Sequence, residues 1–192
     1  LDLHSLNKFV INLPERTDRR EQVIKELDGW KFSFAPGFMD KDPMVGIAKA
    51  HTCCVYKAQF LNWPEVLIME DDIVLRPGAE QYLNEALKNV PEDWEILLGG
   101  VYESKGLTPV NDYWNRTAEF CGLHFYIVRN TAYNKILAYD NKLHIDRWMN
   151  YRDQGLRCYV LKKFIATQRE GFSDNVKSYK DYSDKLKKFK LL

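Results

Sequence analysis

Four apolar residues in succession, Val66-Leu67-Ile68-Met69, run directly into three carboxylates, Glu70-Asp71-Asp72. An uninterrupted apolar run of that length between turn signals reads as a buried strand, and the acids stand at its carboxyl end. In an open α/β sheet, ligands collect at the carboxyl ends of strands, so acids placed there meet a site as well as solvent. Like charges packed so closely repel unless a cation or hydrogen-bond donors neutralise them. Alternate residues of an extended segment share a face, so Glu70 and Asp72 can turn toward one point while Asp71 looks away. That arrangement suits a hard divalent cation with oxygen ligands, Mn²⁺ or Mg²⁺, with diphosphate oxygens completing the shell. A solvated acidic turn is the alternative.

The rest of the chain alternates strand and helix patterns. Lys8–Leu13 is a β-rich run ended by Pro14, and a helix follows with Asp18 as cap, Glu21 three residues on, Val23, Ile24 and Leu27 inward, and Gly29 at its end. Trp30, Phe32 and Phe34 then alternate with polar residues as a strand does. Ile47, Ala50, Cys54, Val55, Ala58 and Leu61 give the stripe of an amphipathic helix over Gly46–Asn62, closed by Trp63-Pro64. After Arg76-Pro77-Gly78 come a helix over Ala79–Asn89 and a strand over Trp94–Leu98. Leu123, Phe125 and Ile127 mark a further strand, Ala132, Ile136 and Leu137 a helix, His144–Asp153 a short helix, and Arg157–Ile165 a last strand. The pattern predicts an α/β domain with a mainly parallel central sheet flanked by helices. Val101–Thr117 has no period and reads as a long loop over one face, as lids often are.

With 192 residues, 45% of them apolar, and a net charge of +1, the chain is one globular domain with a real core, and disorder is excluded. No apolar run approaches the roughly 20 residues of a membrane span, so no transmembrane segment is expected. Leu1–Lys8 has no signal-peptide pattern, although the first residue is not Met. Cys53, Cys54, Cys121 and Cys158 are too irregularly spaced for a disulfide framework or zinc knuckles, which points to a reduced, cytoplasmic setting. The segment from Lys177 to Leu192 holds six lysines against two aspartates, with Tyr179, Tyr182, Leu186 and Phe189 between them. It reads as a basic tail beyond a domain spanning residues 1–176, packed on the domain as an amphipathic helix or in peripheral contact with an anionic surface.

A second cluster follows the first strand. Arg16, Arg19 and Arg20 stand beside the free N–H groups of a helix start, a natural seat for a nucleotide diphosphate; pairing with Glu15 and Glu21 is the alternative. With these residues a resemblance comes into view. Val10-Ile11-Asn12-Leu13 with Arg16-Thr17-Asp18-Arg19-Arg20, the helix start Gly46–His51, and Val66–Asp72 resemble three successive blocks of glycosyltransferase family 25, the lipooligosaccharide biosynthesis group. Gly122–Val128 with Asn130-Thr131-Ala132, Ile145-Asp146, and Gln168–Asp174 are similar to its later blocks. Two departures are Ala50, where the family commonly has Ser before the helix histidine, and Lys49, which replaces an apolar residue.

The resemblance implies a single nucleotide-sugar-binding domain of the GT-A type, which moves a sugar from a nucleotide diphosphate, a UDP-sugar first of all, to an acceptor hydroxyl. It implies Asp72 and Glu70 as metal ligands for Mn²⁺ or Mg²⁺. Asn12, Leu13, Arg16, Arg20, Lys49, Glu70, Asp71, Gln168 and Ser173 are the donor-binding candidates. Asp146 is the first candidate for the general base and Asp174 the second, with capping of the short helix as the structural alternative for Asp146. His51 reads as a core histidine, and His124 and His144 as solitary metal candidates. The acceptor implied is a lipooligosaccharide or other glycan. Alternatives are hydroxymethylated DNA, modified by a compact virus-type enzyme in the host cytoplasm, and a nucleotide-sugar-binding protein without turnover.

Overall fold

The computed structural model describes residues 1–150, 154–174 and 177–192. Its central sheet is built from β1 (Asn7–Asn12), β2 (Ser33–Pro36), β3 (Glu65–Glu70), β5 (Ile96–Leu98), β7 (Thr108–Pro109), β8 (Trp114–Arg116), β10 (Phe125–Arg129) and β11 (Cys158–Leu161), in the order β2-β1-β3-β10-β5-β11-β8-β7. Six of these strands run the same way, and β10 and β8 are reversed. Three two-stranded ribbons complete the β structure: β4 (Ile73–Leu75) with β12 (Ala166–Gln168), β6 (Glu103–Lys105) with β9 (Glu119–Cys121), and β13 (Gly171–Ser173) with β14 (Ser178–Lys180). The helices are α1 (Thr17–Glu26), α2 (Pro43–Phe60), α3 (Ala79–Lys88), α4 (Asn130–Leu137), α5 (Ile145–Met149) and α6 (Ser183–Leu186).

The apolar run of β3 explains the layering. Val66, Ile68 and their neighbours Phe9, Tyr126 and Val128 pack against α2, α4 and α5, in a cluster with Val55, Ala58, Ile136 and Trp148. Leu67 and Met69 point the other way, with Val10, Phe125 and Ile127, onto Val23 of α1, Leu27 at its C-cap, and Leu83 and Leu87 of α3. All four residues of the run are fully buried, each contributing about 1.5–3 kcal/mol relative to exposure. The α/β sandwich expected from the sequence is therefore present, with β3 covered on both faces.

Several local expectations are corrected. Asp18 does not cap α1: Arg16 holds the N-cap position, and Asp18 lies inside the first turn, accepting from Arg16 Nε at 2.8 Å. The side-chain cap is found on α2, where Asp42 accepts from Met44 N at 2.9 Å and Pro43 opens the helix. The expected loop Val101–Thr117 carries β6, β7 and β8, and Trp114 is buried there with its indole N–H on Ala86 O at 2.9 Å. Strands of two or three residues show no period in a sequence, which is why this stretch looks structureless. The short helix after His144 is α5; residues 151–153 of the expected His144–Asp153 range lie outside the described residues.

The closing segment forms no long amphipathic helix. It makes β14 and the four-residue α6 and returns to the domain, where Leu191 bridges Phe164 and the Phe189 ring lies 4.7 Å from that of Phe164. Cys53, Cys54, Cys121 and Cys158 are all free thiols. Among the described residues no helix is long and apolar enough to cross a membrane.

Candidate active site

A cavity of about 300 Å³ opens at the carboxyl ends of β1, β2 and β3. Its floor is the acidic triplet, and strand alternation decides where each acid goes. Glu70 continues the Val66–Ile68 face toward α2, where His51 Nε2 lies 3.4 Å from Glu70 Oε1. Asp71 faces α1: Asn12 Nδ2 donates to it at 2.7 Å and Arg19 Nη1 at 2.9 Å. Asp72 returns to the side of Glu70, and the two carboxylates share one donor, Gln168 Nε2, at 2.6 Å from Glu70 Oε2 and 2.9 Å from Asp72 Oδ1. The β4–β12 ribbon brings this about, because its register sets Gln168 opposite Ile73, next to Asp72.

The electrostatics follow from burial and crowding. Burial, and after it the Glu70 charge, push the Asp72 carboxyl up to about 7. Burial also raises Asp71, against the pull of Asn12 and Arg19. Glu70 goes the other way: burial opposes its charge, but the hydrogen bond and charge of His51, with His124 and Arg19 behind, hold its carboxyl below the usual range. Of the pair, Asp72 is the one whose carboxyl is raised and Glu70 the one whose carboxyl is lowered. The cavity thus contains two close carboxylates that cannot both ionise comfortably.

Of the residues singled out from the sequence, Leu13, Arg16, Glu70, Asp71, Asp72, Asp146, Gln168, Ser173 and Asp174 line the cavity. Asn12 stands one layer behind, buried, holding Asp71 and the Arg16 carbonyl. Arg20 and Lys49 do not reach the wall: the Arg20 guanidinium lies 3.8 Å over the Phe34 ring, and Lys49 Nζ is 4.8 Å from the Phe38 ring centre. Arg19 takes the place expected of Arg20, with Nη1 also 3.1 Å from Asp72 Oδ2. Both base candidates are engaged. Asp146 Oδ2 accepts from Gly122 N at 2.9 Å and Oδ1 from Arg147 N at 2.7 Å, and Asp174 is paired with Arg16 Nη1.

The sequence reading missed four contributors. His51 is buried as expected, but it joins the site, its Nδ1 2.9 Å from the Tyr126 hydroxyl and its Nε2 toward Glu70. Tyr102, Lys180 and Tyr182 line the cavity from loops and from the closing segment. Only His51 had a usable signal: strand alternation carried one residue past Met69 puts Glu70 on the face that α2 covers. Gly46 is needed at the wall, since a Cβ there would collide with the Phe38 carbonyl. Of the solitary histidines, His144 is on the cavity wall, and His124 is fully buried behind it with Nε2 3.2 Å from Ala166 O.

The donor set fits a divalent cation of hard character. Glu70 and Asp72 are oxygen ligands held side by side, and the buried Gln168 Oε1 has no hydrogen-bond partner. Among the described residues, no group of three or more His, Cys, Asp or Glu side chains is arranged to hold a metal, so a complete shell calls for the Gln168 oxygen and oxygens from outside the chain.

In sequence, no family model and no curated protein match the chain. In structure it is similar to A197 from STIV, at TM-score 0.51 and 14% identity, over 91% of this chain and 92% of that one. It is also similar to the inositol-1-phosphate CTP transferase from T. maritima, at TM-score 0.50 and 14% identity, over 97% of this chain and 79% of the other. The fold is of the GT-A type. At such identities the likeness establishes the fold alone, and the finer resemblance to glycosyltransferase family 25 gains no support from any family model.

Proposed function

We propose that the chain is a glycosyltransferase that takes a sugar from a nucleotide diphosphate and delivers it to an acceptor hydroxyl, with a glycan as the acceptor class. The observation that carries this reading is the Glu70–Asp72 pair, two carboxylates sharing one amide donor at the carboxyl edge of a GT-A-type sheet, with Asp72 pushed up to about 7 by burial and by its neighbour. A carboxylate pair in that condition is built to receive positive charge. Glu70, Asp72 and the Gln168 oxygen would hold Mn²⁺ or Mg²⁺, which as a Lewis acid supplies charge neutralisation for the departing diphosphate.

The chain's own residues do the rest. Leu13, Gly37 and Phe38 form the wall at the ends of β1 and β2, where the nucleoside of the donor rests. Arg19 balances Asp71 and Asp72, so that the acidic floor does not repel the donor's phosphates. Asp146, fixed by two backbone N–H groups, is the base: as the acceptor oxygen bonds to the anomeric carbon, the bond from that carbon to the diphosphate breaks, its electron pair leaves with the diphosphate, and the acceptor proton passes to the carboxylate. Asp174, tied to Arg16, shapes the opposite wall.

The test is product analysis with a panel of nucleotide sugars, with Mn²⁺ and with chelator, in the wild-type chain and in Asp72→Ala. Release of nucleoside diphosphate that depends on cation and on Asp72 is the expected result. Pyrophosphate release from a nucleoside triphosphate and a sugar phosphate would mark nucleotidyl transfer instead and overturn the assignment. So would equal, cation-independent rates in both chains. Labelled donor offered to separate pools of glycan and hydroxymethylated DNA then identifies the acceptor.

A further inference from the structure

The arginines that suggest an anion site in the sequence are engaged within the protein. Arg16 gives Nε and Nη2 to Asp18, at 2.8 and 2.7 Å, and Nη1 to Asp174. Arg19 gives Nη1 to Asp71 and Asp72 and Nη2 to the Phe172 carbonyl at 2.9 Å. A diphosphate arriving at either would have to displace a carboxylate. Lys180 is in a different state. It lines the same cavity from the end of β14, half-buried, and among the described residues it makes no ion pair and no side-chain hydrogen bond.

Its surroundings fix where that charge acts. Tyr182, two residues on, also lines the cavity, and its ring stacks on Tyr102 at 4.6 Å and 16°. Both phenols lie within the field of Glu70 and Asp72, which, after burial, helps to raise them above the ordinary tyrosine range. The closing segment therefore stands beside the acidic floor, with an ammonium that pairs with no carboxylate among the described residues. Lys180 and the carboxylate pair line the same space of about 300 Å³, an arrangement that a phosphate chain with a bound cation would complete.

We propose that Lys180, steadied by the Tyr102–Tyr182 stack, binds the diphosphate of the donor, which makes the closing segment a part of the donor site. The proposal rests on the nucleotide-sugar reading above and adds to it the residue that meets the phosphates. A lysine suits the task because three rotatable donors on a flexible stem can follow oxygens whose charge shifts as a bond breaks.

The experiment is calorimetric titration of the full chain with UDP, GDP, CDP and ADP, and with the monophosphate of whichever binds, in the presence of Mg²⁺. The variants are Lys180→Gln, Lys180→Ala and Lys180→Arg, each checked for folding by circular dichroism. Loss of one charge-assisted contact corresponds to about a tenfold weakening for the diphosphate in Lys180→Gln and Lys180→Ala, with the monophosphate little changed and Lys180→Arg restoring most of the affinity. Tyr182→Ala is expected to weaken the diphosphate in the same selective way. If the neutral variants bind diphosphate as tightly as the wild type, this proposal falls and the nucleotide reading stands. If the wild type binds none of the four diphosphates, both fall together.

Discussion

Two acidic positions at the ends of core strands have opposite fates. Glu95, 1% exposed at the entrance to β5, accepts from Lys135 Nζ at 2.8 Å and from Arg157 N at 3.0 Å, with the Arg157 guanidinium 3.5 Å away. Its charge is answered from three directions. At the exit of β3, the Glu70–Asp72 pair shares one amide donor; beyond it, among the described residues, Glu70 has only His51 Nε2 at 3.4 Å and Asp72 only Arg19 Nη1 at 3.1 Å, and the Asp72 carboxyl is pushed up to about 7. The contrast separates a carboxylate that holds elements together from carboxylates that await something from outside. A buried acid is informative about function only once its partners have been counted.

The strongest way to break the comparison is by substitution at the two places. Asp72→Ala and Glu70→Ala are expected to lower nucleoside-diphosphate release by on the order of 10²–10³-fold while the chain stays folded, read by product assay and circular dichroism. Glu95→Ala should do the reverse: it removes the buried acceptor of Lys135 Nζ and Arg157 N, costs about 1–2 kcal/mol of stability in urea denaturation because both side chains can turn to solvent, and leaves donor affinity unchanged. Similar losses of turnover at both positions would erase the distinction.

Acidity sharpens it further. Because the Asp72 carboxyl is raised in the folded chain, the folded state binds its proton more tightly than the unfolded state. The stability this contributes is fully present below about pH 4 and is lost as the pH climbs toward about 7. In chelator, the melting temperature of Asp72→Asn should gain on that of the wild type between pH 4 and pH 8, and added Mn²⁺ should close the gap. A gap independent of pH would mean that Asp72 is already compensated, as Glu95 is. The smallest effect is expected at Arg20: its place over Phe34 predicts that Arg20→Ala costs about 0.5–1 kcal/mol by thermal melt and leaves nucleotide affinity alone.

The strand that ends in acids was legible because both of its signals are local: four apolar letters for burial and alternation for the direction of each carboxylate. Choosing between Arg19 and Arg20 was not, since both lie within a turn of the α1 start and only the Phe34 ring on neighbouring β2 draws Arg20 aside. His51 sits in an apolar stripe and looks like core until β3 is known to pass beneath it. Tyr102 and Tyr182 stack across about 80 positions of chain, and Lys180 joins them on the cavity wall, with no shared motif. Composition made the closing segment look like a basic tail, because lysine counts do not reveal a Phe164–Leu191 bridge.

The reversed strand β10 sits between β3 and β5, antiparallel to both. A nascent chain leaving the ribosome therefore exposes the unpaired edges of β3 and β5 until β10 has been synthesised, and only then can the sheet close at its centre. Translation speed over that stretch, and chaperones able to shield two open edges, should govern how much of this protein reaches its native state.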